Sequence, residues 1–532
     1  MKIQQLTYPP KSISSFLRDS AWDGNPSGLY PVEGVQSDIA PIKAALQAQF
    51  DASKRAVLHQ VLKDQQQDRG SEQQKLNLER LLSSNGYVVA TGQQIHIGLG
   101  PAYVLYKIVS AIVWAKKLKE EHPEDHFVPV FWMATEDHDV AEINHVDIQQ
   151  DRFQWDCNWS TAVGDMPTQS LNGMFDWLHE KLGKSDEAIA KIEAARNYFS
   201  APSATLTTAM NAWVSDIFGE FGLLVLDPRD LRLKQLAQPL FEKALMEVSL
   251  LESFRSSTEI LKAKGIEPPA HVGQSLVFWM DAHRRSRIER KDDGFETIDG
   301  GKHWTSAEMN QVLHSDALHC LSANVLLRPL YQQAVLPCVT YVAGPSEYLY
   351  WLQTPEGFKI ANLVAPQLIH RKGGVVLTQS QMKKINRLEL SSLDCFLGIE
   401  GIKQKLMERT LGENALNASI LSVDAALQQQ LKTLYQWNSP LLSEVKKEID
   451  KFVKWQKGMG KAAVEAHLES QFSAESWRAL EGIITTHLSV SQPQERSAHW
   501  VQWYILYGND WIKALCNSVD YDSHQSYWWV EL

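Results

Sequence analysis

Residues 87–145 read YVVATGQQIHIGLGPAYVLYKIVSAIVWAKKLKEEHPEDHFVPVFWMATEDHDVAEINH, and this stretch decides the fold. An apolar run, Tyr87–Ala90, ends in a glycine-rich turn, Thr91–Gly100. Pro101 follows, where the first turn of a helix tolerates it. Leu105, Ile108, Val109 and Ile112 then recur at helical spacing on one face. A second apolar run, Phe127–Ala134, ends in Glu136, Asp137, His138 and Asp139. Strand, loop, helix, strand, loop describes a right-handed βαβ unit and predicts a parallel sheet, hence an α/β fold. Ligands of such sheets bind beyond the carboxyl ends of the strands. Both polar loops fall at that edge, so the stretch predicts a site as well as a fold.

Further strands are expected at Leu223–Leu226, with Asp227 capping the next helix, at NVLLRP (324–329), at LPCVTYVAG (336–344), and at QLIHR and GVVLT on either side of Lys372-Gly373-Gly374. Residues 40–83 look helical behind an irregular, proline-rich arm over residues 1–40. Two insertions interrupt the core. One, near 150–205, mixes tryptophan with charged helix; the other, 266–315, has short alternating pieces that suggest an antiparallel sheet. The core therefore extends over residues 1–380. From 381 to 485 strand signals stop. Leu442, Val445, Ile449 and Val453 make a narrow seam suited to an antiparallel coiled coil, closed on itself or shared by a homodimer. Residues 486–532 are rich in tryptophan and tyrosine and are expected to pack back on the core.

Composition narrows the function. A chain of 532 residues exceeds one ordinary core. A net charge of −11 argues against wide contact with nucleic acid. No apolar run approaches the ~20 residues that cross a bilayer, and MKIQQLTYPPKSIS has no apolar signal region. The five cysteines, Cys157, Cys320, Cys338, Cys395 and Cys516, are scattered without zinc-ligand spacing. A reducing cytoplasm is the expected location.

Three clusters carry candidate chemistry. In the first, Thr91, Gly92, His96, Gly98 and Gly100 would bring backbone N–H groups toward a phosphate or carboxylate at the start of a helix. His96-Ile97-Gly98 is a partial match to the HIGH signature of adenylate-forming nucleotidyltransferases, with Leu99 in the last position. The alternative is a tight turn with an incidental histidine. In the second, Glu136, Asp137 and Asp139 crowd His138, an arrangement suited to acid–base work, Mg²⁺ or a substrate ammonium. The alternative is a capping cluster on a solvated loop, and His145 nearby reads as a packed or surface residue. In the third, Asn324 and Arg328 end an expected strand and Glu347 opens a helix after Gly344-Pro345. The guanidinium suits a carboxylate; the alternative is a salt bridge at the core edge.

These residues resemble the bacillithiol-synthesis cysteine ligases, the BshC family. The resemblance rests on VVATGQQ with Tyr106-Lys107, PVFWMATEDHDVAEINHV, FGEFGLLVLDPRD, NVLLRP, YVAGPSEYLYW and the tail QERSAHWVQWYILYGNDWIKAL. It implies a Rossmann-like core of the nucleotidyltransferase type with connective insertions, a long helical coiled coil and a homodimer. It implies that cysteine is joined to glucosaminyl malate in the last step of bacillithiol synthesis. ATP or ADP with Mg²⁺ would sit at Gly92–Gly100. His138 would act as base, oriented by Asp139 or Glu136. Arg328 and Asn324 would hold the malyl carboxylates and Glu347 the cysteine ammonium, with Gln94, Tyr106 and Lys107 as further substrate contacts. No resident metal, nucleic acid or membrane partner is expected. The competing readings are another adenylate-forming enzyme and a non-catalytic coiled-coil assembly protein.

Overall fold

The computed structural model describes residues 1–6, 38–67, 69–149, 151–411, 426–427, 429, 432–433, 442–471, 474–488, 493–518 and 527–532. Most of the arm expected over residues 1–40 lies outside them. Five strands build the central sheet: β1 (Gly86–Gln93), β2 (His126–Met133), β3 (Leu224–Leu226), β4 (Cys338–Ala343) and β5 (Gln367–His370). Every neighbouring pair is parallel, in the order β3-β2-β1-β4-β5. The chain lays strands outward from β1 to β3, then returns to add β4 on the other side. Loops leaving β1 and β4 therefore diverge and open a crevice at the carboxyl edge.

β1 and β2 show no polar alternation because both faces are covered. Val88, Ala90, Val128, Val130 and Trp132 pack with Leu58, Val61, Leu78 and Leu81 from helices Ala52–Gln66 and Glu72–Leu82. Phe131 and Met133, of the other parity, gather around a small void with Val104 and Ile108 of helix α1 (Ala102–Glu121) and Met210 and Val214 of helix Leu206–Phe218. The spacing in α1 predicted one apolar face. The helix is instead buried nearly all round, Tyr106, Lys107 and Ser110 included. Helix Val501–Ser518 packs against it in addition to the sheet. Leu105, Ile108, Val109 and Ile112, all buried, contribute roughly 1.5–3 kcal/mol each.

Three expectations need correction. NVLLRP is not a strand: Asn324 Oδ1 accepts the N–H groups of Leu326 (3.0 Å) and Leu327 (2.8 Å), turning the chain into helix Arg328–Val335. The strand there is Leu321–Ala323, which closes a five-stranded antiparallel sheet with Val277–Met280, Arg285–Lys291, Gly294–Thr297 and His303–Thr305. The cap of helix Leu231–Leu236 is Asp230, not Asp227, which is held by Thr135 and Arg229. Gly373–Leu377 is a strand outside the central sheet.

The chain forms two compact units. The first contains Ile3–Gly374 and Glu495–Trp528, so the stretch after Gln494 rejoins the sheet-bearing unit. The second contains Val375–Gln494 with Trp529–Leu532. It is built from helices Gln379–Arg387, Gly398–Leu411, Leu442–Gln471 and Ala474–His487. Among the described residues no helix is long and apolar enough to cross a membrane.

Candidate active site

A cavity of about 910 Å³ opens at the carboxyl edge of the sheet. Each parallel strand, or the loop leaving it, contributes: Gly92, Gln93 and Gln94 at β1, Glu136 and Asp137 after β2, Pro228 after β3, Glu347 after β4 and Arg371 after β5. Charge is divided unevenly within it.

One part is acidic. Gln94 Nε2 donates to Asp137 Oδ2 (2.7 Å) and to Glu142 Oε2 (2.6 Å), tying two carboxylates together. Buried Glu136 accepts from Lys234 and from Ser322 Oγ (3.0 Å). Lys234 is fully buried over the rings of Tyr331 and Phe241. Burial pushes its ammonium below the ordinary range, and Glu136 opposes that. Arg285 comes from the antiparallel sheet and donates to Ser322 Oγ (3.2 Å), Ala323 O (3.1 Å) and His138 Nδ1 (3.1 Å). Arginine only donates, so His138 Nδ1 accepts, and the neutral ring carries its proton on Nε2. Asp137 Oδ1 lies 3.6 Å from the same nitrogen, too far for a hydrogen bond. Burial would raise Asp137, yet hydrogen bonds from the His138 backbone N–H (2.7 Å) and Gln94 and the charge of Arg285 hold it well below the ordinary carboxylate range. Three carboxylates face two cations here, leaving one negative charge in excess.

The other part is cationic. Lys107 and Arg328 share Glu347, at 2.6 and 3.5 Å. Lys107 also donates to the Gly92 carbonyl. Arg328 donates to the hydroxyls of Tyr341 (3.3 Å) and Tyr350 (3.2 Å) and to Gln332 Oε1 (3.2 Å). Burial would raise Glu347; Lys107 and Arg328 hold it below its ordinary value. Arg371 is buried in a two-bond pair with Glu495, at 2.8 and 3.2 Å. Arg496 lines the cavity, is exposed, and has no carboxylate partner among the described residues. Four cations stand against two carboxylates, leaving two positive charges in excess. Tyr103 lies between the two parts. Burial pushes its hydroxyl up to about 12, with Glu142 adding to the rise and Arg371 and Arg496 opposing it.

The glycine loop packs rather than cradles. Gly98 and Gly100 have φ of +62° and +81°. A Cβ at Gly98 would lie 2.5 Å from Val146 and one at Gly100 3.1 Å from the His96 ring. Neither lines the cavity, nor does Thr91, whose buried hydroxyl donates to Val342 O (2.9 Å). Tyr106 is likewise out of reach, buried against Trp528. Gly92 and His96 do line it, and burial holds His96 down to about 4, hence neutral. Gln94, Lys107, Asn324, Arg328, Glu347, Glu136 and Asp137 also line it; His138 and Asp139 do not.

The sequence reading did not single out Tyr103, Arg285, Arg371 or Arg496, and it placed His145 elsewhere; all five line the cavity. Arg371 and Arg496 depend on a return of the chain that local pattern does not encode. Ala102 N–H donates to Ala498 O (2.9 Å), Trp500 N–H to Gly100 O (3.2 Å) and the Trp500 indole to Leu99 O (2.8 Å). His499 Nδ1 accepts from Asp147 N–H (3.0 Å). The only signal was a polar pair, Glu495-Arg496, in an aromatic stretch.

Strand order and a charged cavity at the switch point define a Rossmann-like α/β protein with a candidate small-molecule site. The chain belongs to the BshC family: residues 28–372 match the family described as "Bacillithiol biosynthesis BshC, N-terminal Rossmann-like domain". It is 30% identical over 500 residues to a protein of Christiangramia forsetii, covering 88% of each chain. Its identity to one of Cytophaga hutchinsonii is 30% over 387 residues, covering 72% of each. To one of Flavobacterium johnsoniae it is 28% over 482 residues, covering 88% of this chain and 87% of that one. All three bear the name "Putative cysteine ligase BshC".

Proposed function

We propose that this protein is a cysteine ligase that joins the carboxyl of L-cysteine to the amine of glucosaminyl malate, the last step of bacillithiol synthesis. The name borne by its relatives supports this reading. The observation that carries it is charge complementarity. Glucosaminyl malate has two carboxylates and one amine, and the cavity has two positive charges in excess in one part and one negative charge in the other.

The acidic part receives the amine. Held there as an ammonium, the nitrogen first gives one proton to solvent to free its lone pair; it then attacks the activated cysteine carboxyl carbon and loses a second proton as the leaving group departs with its bonding electrons. Glu136 is pinned by two donors, and Asp137 takes bonds from Gln94 and the His138 N–H. Glu142 accepts from Gln94 alone among the described residues and takes the proton. His138 is no base here, because Arg285 occupies its free lone pair.

An amide forms in water only from an activated carboxyl, and ATP with Mg²⁺ would supply that as an adenylate. Of the glycines expected to cradle its phosphates, Gly98 and Gly100 are packed against Val146 and His96 and only Gly92 lines the cavity, so the loop does not fit as a phosphate cradle. Among the described residues no group of three or more His, Cys, Asp or Glu can hold a metal ion. A homodimer through helix Leu442–Gln471 belongs to the same proposal, and sedimentation of the purified chain checks it.

Deleting the gene in its host and profiling thiols by labelling and mass spectrometry tests the reaction. Loss of bacillithiol with accumulation of glucosaminyl malate is expected. An unchanged thiol pool removes the reading.

A further inference from the structure

We propose that Arg496 is the residue that binds a malyl carboxylate and makes the site select a carboxylate-bearing sugar amine; this rests on the ligase reading above. The residue expected to do so, Arg328, is already committed. Its guanidinium bonds two tyrosine hydroxyls and Gln332, faces Glu347, and lies over the rings of Tyr341 and Trp351 at 5.4 and 5.8 Å. Asn324 is committed too, its side-chain oxygen closing the turn into helix Arg328–Val335. Both give the cavity charge and shape but have little left to offer a ligand.

Arg496 differs on each count. It lines the cavity, its side chain is exposed, and no carboxylate balances it among the described residues. A guanidinium in that state offers a two-pronged donor to a carboxylate. Its backbone is nevertheless held firmly. Glu495 on one side is buried in the pair with Arg371, and its Oε2 also accepts from Gly374 N–H (3.4 Å). His499 on the other side is fixed to Asp147 by reciprocal bonds: His499 N–H to Asp147 O (3.2 Å) and Asp147 N–H to His499 Nδ1 (3.0 Å). A free cation on a braced backbone is pre-organised for its ligand, which lowers the ordering cost of binding. The Glu495–Arg371 pair thus acts as a positioning device for the residue beside it.

The test is equilibrium binding to the full chain by calorimetry, with three probes: glucosaminyl malate, free malate, and methyl glucosaminide, which keeps the amine and lacks both carboxylates. Arg496→Gln should bind glucosaminyl malate roughly 10- to 100-fold more weakly, the range for one charged hydrogen-bonded contact. Its affinity for methyl glucosaminide should stay within twofold of the parent chain. Arg496→Lys should recover part of the loss, since charge returns without the fork. Equal weakening toward both sugars means a structural role and overturns the proposal, as does unchanged affinity of Arg496→Gln for glucosaminyl malate. If the parent chain binds malate through Arg496 but neither sugar, the ligase reading fails while the carboxylate site stands. If it binds none of the three, both fall.

Discussion

The two parts of the cavity are assembled in opposite ways. The acidic part comes largely from one short stretch: Glu136, Asp137 and Glu142 all lie within the nine residues that follow β2. The cationic part is gathered from α1, the first residue of helix Arg328–Val335, the end of β5 and the returning C-terminal stretch. In the contiguous cluster Glu136 is buried, but Asp137 and Glu142 reach the surface, where water helps solvate their charge. The gathered one is mostly buried: Lys107, Arg328 and Arg371 each need a partner brought by another element, and Arg496 alone is exposed. The cationic part should therefore carry stability and substrate binding, and the acidic part turnover.

The largest expected effect breaks that contrast most directly. Glu347→Gln leaves Lys107 and Arg328 buried without their shared carboxylate and should cost about 3–5 kcal/mol. Asp137→Asn alters a side chain that is 29% exposed and should cost about 1 kcal/mol or less. Urea titration of both variants checks this. Similar losses would mean that the two parts are equally structural.

Acid separates the charged ends from the neutral histidines beneath them. An ordinary histidine titrates near 6.5, whereas burial holds His96 to about 4 in the folded chain. Between those values the unfolded chain binds a proton that the folded chain refuses. Stability present above pH 6.5 should then fall as the pH drops toward 4, by about 3 kcal/mol for His96. Glu347 is depressed in the folded state, so its contribution is complete above about 4.5 and is lost only at lower pH. Urea midpoints at pH 7, 5.5 and 4 should show the first loss, and His96→Gln should reduce it, leaving the share of His370 and His499, which burial also holds below the ordinary value. A midpoint constant from pH 7 to 4 would contradict the neutral state of His96.

Turnover is the next discriminator. Glu142→Gln removes the proton acceptor and should lower kcat by roughly 100-fold, while affinity for glucosaminyl malate changes far less. A loss confined to affinity would move the acidic part into the same role as Arg496.

The difference in assembly also explains what could be read from the sequence. The βαβ unit was legible because its apolar runs and loops are consecutive, and the antiparallel insertion because its pieces alternate. Glu136, Asp137 and Gln94 were legible for the same reason. Arg328 lines the cavity with surroundings other than expected: in place of a strand end, an asparagine-closed turn makes it the first residue of a helix. Gly98 and Gly100 were read as a phosphate cradle because left-handed glycines serve packing and ligand approach alike. Only the neighbours Val146 and His96 tell the two apart. Arg371 and Arg496 were not singled out, since their meeting at the cavity depends on contacts between β1, α1 and a segment some 400 residues later.

His138 gives the smallest expected effect and the sharpest test of how a local cluster can mislead. Three carboxylates around a histidine suggest a base, because their field favours the imidazolium. The decisive neighbour is instead Arg285, from the distant antiparallel sheet, which donates to Nδ1 and leaves only an N–H on the other side of the ring. His138→Asn keeps an acceptor near the Nδ1 position and removes that N–H. It should lower kcat less than 10-fold and leave the shape of the kcat–pH profile intact. A fall of 100-fold or more with loss of one limb of the profile would return the base to His138 and make the contiguous cluster the whole of the acid–base machinery.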